Sequence, residues 1–289
     1  MRLFLLPIST RRTLLYCQKL QTLPTEKQPL ADKVITRAAK LWAGWEKQDG
    51  GWKKAVVKYG NRALRRIPYE EWGLKSVPTL STRRREEDAL GKEKHHIVFP
   101  ASIIPPTNAP QVLQKLATER EGLHRSRMVW CFIGMPISAP FALVPIIPNL
   151  PFFYLVYRAW SHYKALAGGK HLKWLISHDF FTLSPSEKLD AIYSRSIPSL
   201  QTLERKPNES DSTPRPENSA GSEEPERMLI TQSTGHELSQ ALDIPELEIE
   251  LERAIWQVET AIRKQNGVAS NNTAGEKSQS KEEENKKEE

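Results

Sequence analysis

The chain has 289 residues, 38% of them hydrophobic and 27% charged, enough for one sizeable domain or two small ones beneath a polar exterior. Its net charge of +7 conceals a division: residues 1–200 hold 31 Lys/Arg against 15 Asp/Glu, and residues 201–289 hold 11 against 20. Such a cationic body suits phosphates on lipid or nucleic acid, while two cysteines, Cys17 and Cys131, exclude a disulfide framework and a cysteine-rich zinc site.

Residues 1–25 carry Arg2, Arg11, Arg12 and Lys19, hydroxyls at Ser9, Thr10 and Thr13, and no acid. That is the composition of a mitochondrial presequence. RLFLLPI and RTLLYC read equally as short apolar strands, and both readings stand. Residues 26–127 form a basic, mainly helical region. Within it Val34, Ala38, Leu41 and Trp45 step along one helix face, and Gly50-Gly51 ends that helix. Trp52, Val56, Tyr59, Ala63 and Ile67 then mark a second stripe with basic residues opposite. This pair either packs as a helical hairpin or lies on an anionic membrane surface. Residues 81–96 read as a charged loop, and HIVFPASIIPP as a short strand running into proline-rich coil.

Residues 128–157 contain no charged side chain across 30 positions. A bilayer core of about 30 Å needs roughly 20 apolar residues to cross it as a helix, and so polar a chain has little core in which to hide a longer run. The expectation is a membrane-inserted segment with the lipid bilayer as partner. It begins at Met128 and Trp130, ends at Tyr157, and is interrupted by Pro136, Pro140, Pro145, Pro148 and Pro151. Each proline removes a backbone donor that lipid cannot replace. Two arrangements fit: a single kinked span, or a re-entrant hairpin with Met128–Ile137 entering and Pro151–Tyr157 leaving. Arg125 and Arg127 flank one side, Arg158 and Lys164 the other. These balanced positive flanks give no orientation for a single span, and anionic headgroups could meet them.

Residues 158–203 read as a juxtamembrane helical region, with the helix ending at Gly168-Gly169. The GGK there lacks the spacing of a phosphate loop. His162, His171 and His178, nine and seven apart without a supporting cysteine, do not make a metal site. No nucleophile, base and orienting group cluster, so the expectation is a protein that is not an enzyme and uses no cofactor or metal. No nucleic-acid recognition motif appears. Residues 204–225 read as a disordered linker of proline, serine and charge. Residues 226–266 read as a strand (ERMLITQ) and two helices, starting at the Thr234–Glu237 and Asp243–Glu246 capping spacings, the second ending at Gly267. Residues 267–289 read as a disordered charged tail. The fold class expected is α+β, mostly helical, with one membrane-inserted segment.

MRLFLLPISTRRTLLYC at the start, YRAWSHYKALAGG after the apolar run and ELEIELERAIWQVE near the end together resemble the fungal mitochondrial proteins related to K⁺–H⁺ exchange. The resemblance implies a mitochondrial inner-membrane protein involved in potassium–proton exchange and organelle volume, with K⁺ and H⁺ as transported ions. It would act by antiport or as an essential accessory, and it assigns no transport residue. An exchanger needs several spans and an ionisable group at membrane depth. One uncharged segment therefore points to an accessory or to one subunit of an oligomer. In an oligomer, unwound carbonyls around Pro136–Pro151 could ligate K⁺. The alternative is a membrane-tethered interaction or assembly factor without transport.

Overall fold

The computed structural model describes residues 1–18, 37, 40–47, 50–91, 95–140, 150–204 and 225–285, with side chains omitted at 52–53, 63–65, 150, 198–204 and 267–285. The described residues are α+β and mostly helical, with one four-stranded sheet. The chain divides into two units: residues 1–6 with 15–186, and residues 7–14 with 187–289.

The strands are β1 (Arg2–Pro7), β2 (Thr13–Gln18), β3 (His96–Phe99) and β4 (Thr182–Pro185), in the order β2-β1-β3-β4. β3 runs parallel to both neighbours, with Leu3 opposite Ile97 and Ile97 opposite Leu183. A strand buried on both faces needs an unbroken apolar run, and β1 supplies one: Leu3, Leu5 and Leu6 are all at 0% exposure. The strand reading of the N-terminus is therefore the one the fold uses. Removing these residues would remove the strand paired with β3. Residues 19–25 lie outside the described residues.

The first unit's helices are α1 (Gly51–Arg65), α2 (Tyr69–Ser76), α3 (Thr82–Ala89), α4 (Ala109–Thr118), α5 (Glu121–Ser138) and α6 (Leu150–Ser177). Residues 40–46 are helical, and Trp42 lies across Gly60 and hydrogen-bonds Asn61, which makes the hairpin with α1. The α1 stripe is displaced from expectation, since Val57 is buried and Tyr59 exposed. Leu3, Leu5, Ile97 and Phe99 of the sheet form a core with Leu113 and Ala117 of α4 and Leu172 and Leu175 of α6.

Three expectations in this unit need correction. Of the charged loop expected at 81–96, Thr82–Ala89 is instead α3: Ser81 caps it by accepting from the Arg84 amide, and charge does not preclude a helix that has a cap; residues 92–94 lie outside the described residues. The helix expected to stop at Gly168-Gly169 runs to Ser177. There the glycines serve close packing, since a Cβ on Gly168 would lie 2.1 Å from the Leu74 carbonyl oxygen, and one on Gly169 2.9 Å from that of Ala117. Third, the segment 128–157 is not one kinked span. It is divided between the second half of α5 and the first turns of α6, which pack antiparallel: Gly134 faces Leu155, His124 meets His162, and Glu121 pairs with Lys173. Residues 141–149, with Pro145 and Pro148, lie outside the described residues. Among those described, no helix is long and apolar enough to cross a membrane.

The second unit holds α7 (Glu187–Glu204), α8 (Gln232–Ala241) and α9 (Pro245–Asn285). Leu189, Ile230, Leu238, Leu247, Leu251 and Val258 are buried there, and the Tyr193 hydroxyl donates to the Pro7 carbonyl at 2.9 Å. ERMLITQ yields only a bridge, Met228 to Ser9, in place of a strand. Thr231, three residues before the expected cap, accepts from the Thr234 amide. α9 continues through Gly267 to Asn285, where a tail was expected. A glycine inside a helix costs only about 1 kcal/mol, and the Glu- and Lys-rich sequence from Glu276 onward favours helix. The expected linker falls, from residue 205 to 224, outside the described residues.

Candidate functional site

α5 and α6 form one antiparallel hairpin with two contrasting ends. At the end nearest residues 138 and 150, Val129, Trp130, Phe132, Ile133 and Ile137 of α5 and Phe153, Tyr154 and Val156 of α6 are all exposed. Cys131 and Ser138 are buried on the opposing side, and Gly134 lets Leu155 approach, so only the seam between the helices is covered. Pro136 lies inside α5 and is exposed, as are Pro140 and Pro151; Met128 is half-buried.

One turn further along α6 the chemistry reverses. Arg158 forms a bidentate ion pair with Glu71 of α2, Nη1 to Oε1 at 2.7 Å and Nη2 to Oε2 at 3.0 Å. The Ser161 hydroxyl also donates to Glu71 Oε1. Arg158 Nη2 lies 3.1 Å from His162 Nε2, and His162 Nδ1 lies 3.1 Å from His124 Nδ1 on α5. All five side chains are buried. Helical spacing explains the cluster: Arg158, Ser161 and His162 share one face of α6, and α2 and α5 pack against that face.

The hydrogen bonds fix the tautomers. Arginine only donates, so His162 accepts on Nε2, carries its proton on Nδ1 and donates that proton to His124 Nδ1. His124 then bears its own proton on Nε2, which is buried without a partner among the described residues. His124 also lines a cavity, with Leu74, Ala117, Glu121 and Lys170, that has room for about one water. Burial pushes His162 down to about 4, with the Glu71 carboxylate opposing, and pushes His124 down as well. Burial alone would raise Glu71, but the Ser161 and Arg158 hydrogen bonds and the Arg158 charge outweigh it and hold the carboxyl below its ordinary value.

Glu71, His124 and His162 place ligand atoms within 4.8 Å of one another, a spacing a metal ion could use. Two features oppose it. Arg158 already neutralises Glu71, so a divalent ion would add uncompensated buried charge. Metal on His162 Nδ1 would also move the ring proton to Nε2, against the Arg158 N–H groups, where a metal-bound histidine needs an acceptor. The arrangement suits a neutral polar joint. A second buried group lies between α3 and α6: His95 Nε2 lies 2.8 Å from Asp88 Oδ1, and His171 Nε2 stands 3.6 Å from Asp88 Oδ2, beyond hydrogen-bond distance. His171 Nδ1 donates to the Pro78 carbonyl at 2.8 Å.

Among the flanking charges, Arg125 and Arg127 are exposed, and Lys164 Nζ lies 5.7 Å from the centre of the Trp160 ring. Arg158 is not the headgroup-facing charge expected, because its guanidinium is consumed by Glu71. Half-buried Tyr157 meets Lys75 Nζ at 3.4 Å. Sequence reading missed Glu71, His124 and Ser161. Sequence spacing sets His162 beside His171 and His178, whereas its partners come from α2 and α5.

Residues 2–176, which take in the whole hairpin and its polar base, match the model of a family described as mitochondrial K⁺–H⁺ exchange-related. An uncharacterized protein of Schizosaccharomyces pombe is 32% identical over 192 residues, 66% of this chain and 81% of that protein. An uncharacterized protein of Saccharomyces cerevisiae is 26% identical over 278 residues, 87% of this chain and 82% of that protein. No solved structure matches.

Proposed function

Because this chain belongs to the mitochondrial K⁺–H⁺ exchange-related family, we propose that it serves potassium–proton exchange at the mitochondrial inner membrane, as an accessory or subunit of the exchange activity and not as an enzyme. The family description carries the mitochondrial and exchange-related part of this reading. The observation that carries the membrane part is the hairpin end, where eight large apolar side chains are exposed around two helices without a charge among them. A patch of that kind marks a membrane or partner contact. The accessory role follows from where the ionisable groups sit. An exchanger must offer a cation and a proton a shared ionisable group at membrane depth, whereas the buried carboxylates described beside the hairpin lie at its body end, Glu71 satisfied by Arg158 and Ser161 and Asp88 beside His95. Transport would then fall to other subunits, with K⁺ and H⁺ moving through them.

Mitochondria lacking the protein should swell more slowly in potassium acetate and hold more matrix potassium. Normal swelling and normal potassium would defeat the exchange role, leaving a tethered assembly factor, which loss of a specific complex on native gels would identify. Alkaline carbonate should leave the protein in the membrane pellet; release into the supernatant would defeat the membrane placement.

A further inference from the structure

We infer that the α5–α6 hairpin is a one-leaflet anchor: its end enters a single leaflet of a phospholipid bilayer, both arms leave on the same face, and the folded body stays outside. The inference rests on the membrane placement proposed above and names the depth and sidedness of that same surface.

Four observations carry it. The arms are antiparallel, so whatever enters along α5 returns along α6. The described helical arm from Met128 to Ser138 is short: at a rise of 1.5 Å per residue it extends about 16 Å, roughly half of a 30 Å hydrocarbon core. Exposure surrounds the helices instead of following one stripe, with Val129, Trp130, Phe132, Ile133 and Ile137 between 47% and 69% exposed on α5 and Phe153 at 61% on α6. A protein groove covers one face of a helix pair, whereas acyl chains cover every face that the pair does not cover itself.

The fourth observation is a limit to depth. Arg125 and Arg127 are exposed less than one turn before Met128, where anionic headgroups would hold them. On the returning arm Trp160 and Tyr163 come level with these arginines, given that His124 meets His162, and amphipathic rings favour the interface. Interleaved with these rings, from Arg158 to His162, the Glu71–Arg158–His162–His124 joint is locked into the body and stops the helix from going deeper. A hairpin whose two arms leave on the same face gives no path across the bilayer, so an ion path needs another chain.

The test uses the full-length protein on sealed phosphatidylcholine–cardiolipin vesicles. Arg125→Cys and Tyr163→Cys place reporters at the base of each arm, since both native cysteines are buried. Both reporters should react completely with a membrane-impermeant maleimide added outside. A bimane on Ile137→Cys should be quenched by nitroxides near the acyl-chain ends and shielded from aqueous iodide. Ile137→Asp with Phe153→Asp should weaken vesicle binding about tenfold or more while the circular dichroism spectrum stays unchanged. The inference is overturned if either base cysteine reacts only after detergent, if iodide quenches the bimane as it does without vesicles, or if the double variant binds like the wild type. Swelling in potassium acetate reads the exchange role and not sidedness, so the anchor and the exchange reading can fail separately.

Discussion

The two ends of the α5–α6 hairpin use the same pair of helices for opposite purposes. At its base Glu71, Arg158, Ser161, His162 and His124 satisfy one another inside the fold. At its far end Trp130, Phe132, Ile137 and Phe153 face outward with nothing described to cover them. The switch happens within one turn of α6, between Tyr154 and Arg158. The contrast shows where the chain finds its rigidity. The base makes α2, α5 and α6 one body, so the apolar end is held out by internal contacts and needs none of its own.

The largest expected effect breaks the base. Arg158→Met strands a buried carboxylate and should cost about 3–5 kcal/mol, read as a lowered urea midpoint. Adding Glu71→Met should recover most of that loss, because an apolar pair can replace a buried ion pair at little cost. A double variant as unstable as the single one would show that the pair is not an independent unit. Gly168→Ala comes next: its Cβ would meet the Leu74 carbonyl backbone, which cannot swing aside, at about 1–3 kcal/mol. Gly122→Ala, with nothing within 4 Å on exposed α5, should instead stabilise by roughly 0.5–1 kcal/mol.

Acid should weaken the base in two stages. Unfolded histidine takes up a proton near pH 6.5, but His162 in the fold resists until about 4. The unfolded state therefore binds the extra proton in between. The stability from neutral His162 is complete above 6.5 and is lost as pH falls toward 4, with His124 displaced in the same direction. Glu71 is held below its ordinary 4.5, so its contribution is lost only below that value. Urea midpoints against pH should show both stages, and His162→Asn should flatten the upper one. An unchanged slope between 6.5 and 4 would mean that His162 is not kept neutral by the fold.

The difference between the ends also explains what the sequence let us read. The apolar end was legible because it is local: thirty uncharged residues stand out of any window. The strands of the N-terminus were legible for the same reason, although their basic composition equally suggested an address. The base was not legible. Glu71, His124 and His162 are separated by dozens of positions, and only the antiparallel return of α6 and the docking of α2 bring them together. Gly168-Gly169 misled because a glycine pair reads as a stop, when its use was to let the Leu74 carbonyl approach α6. α3 is hidden in the sequence because seven of its eight positions are charged or polar and show no apolar stripe. Arg158 reads as a flanking charge in the sequence because its partner is 87 residues away.

The smallest effect on folding should come from the apolar end, and it sharpens the comparison most. Trp130 is 67% exposed and Ile137 69%, so little of either side chain's burial belongs to the fold. Trp130→Ser and Ile137→Ser should each move stability by no more than about 0.5 kcal/mol, an order of magnitude below Arg158→Met. Each should still weaken partition into vesicles measurably, since the transfer of a large apolar side chain is worth about 1.5–3 kcal/mol. The two ends would then separate cleanly, with variants at the base changing the urea midpoint and variants at the tip changing only membrane binding. If Trp130→Ser unfolds the protein, the tip is packed against part of the chain outside the described residues, and the division between a satisfied base and an outward-facing tip is lost.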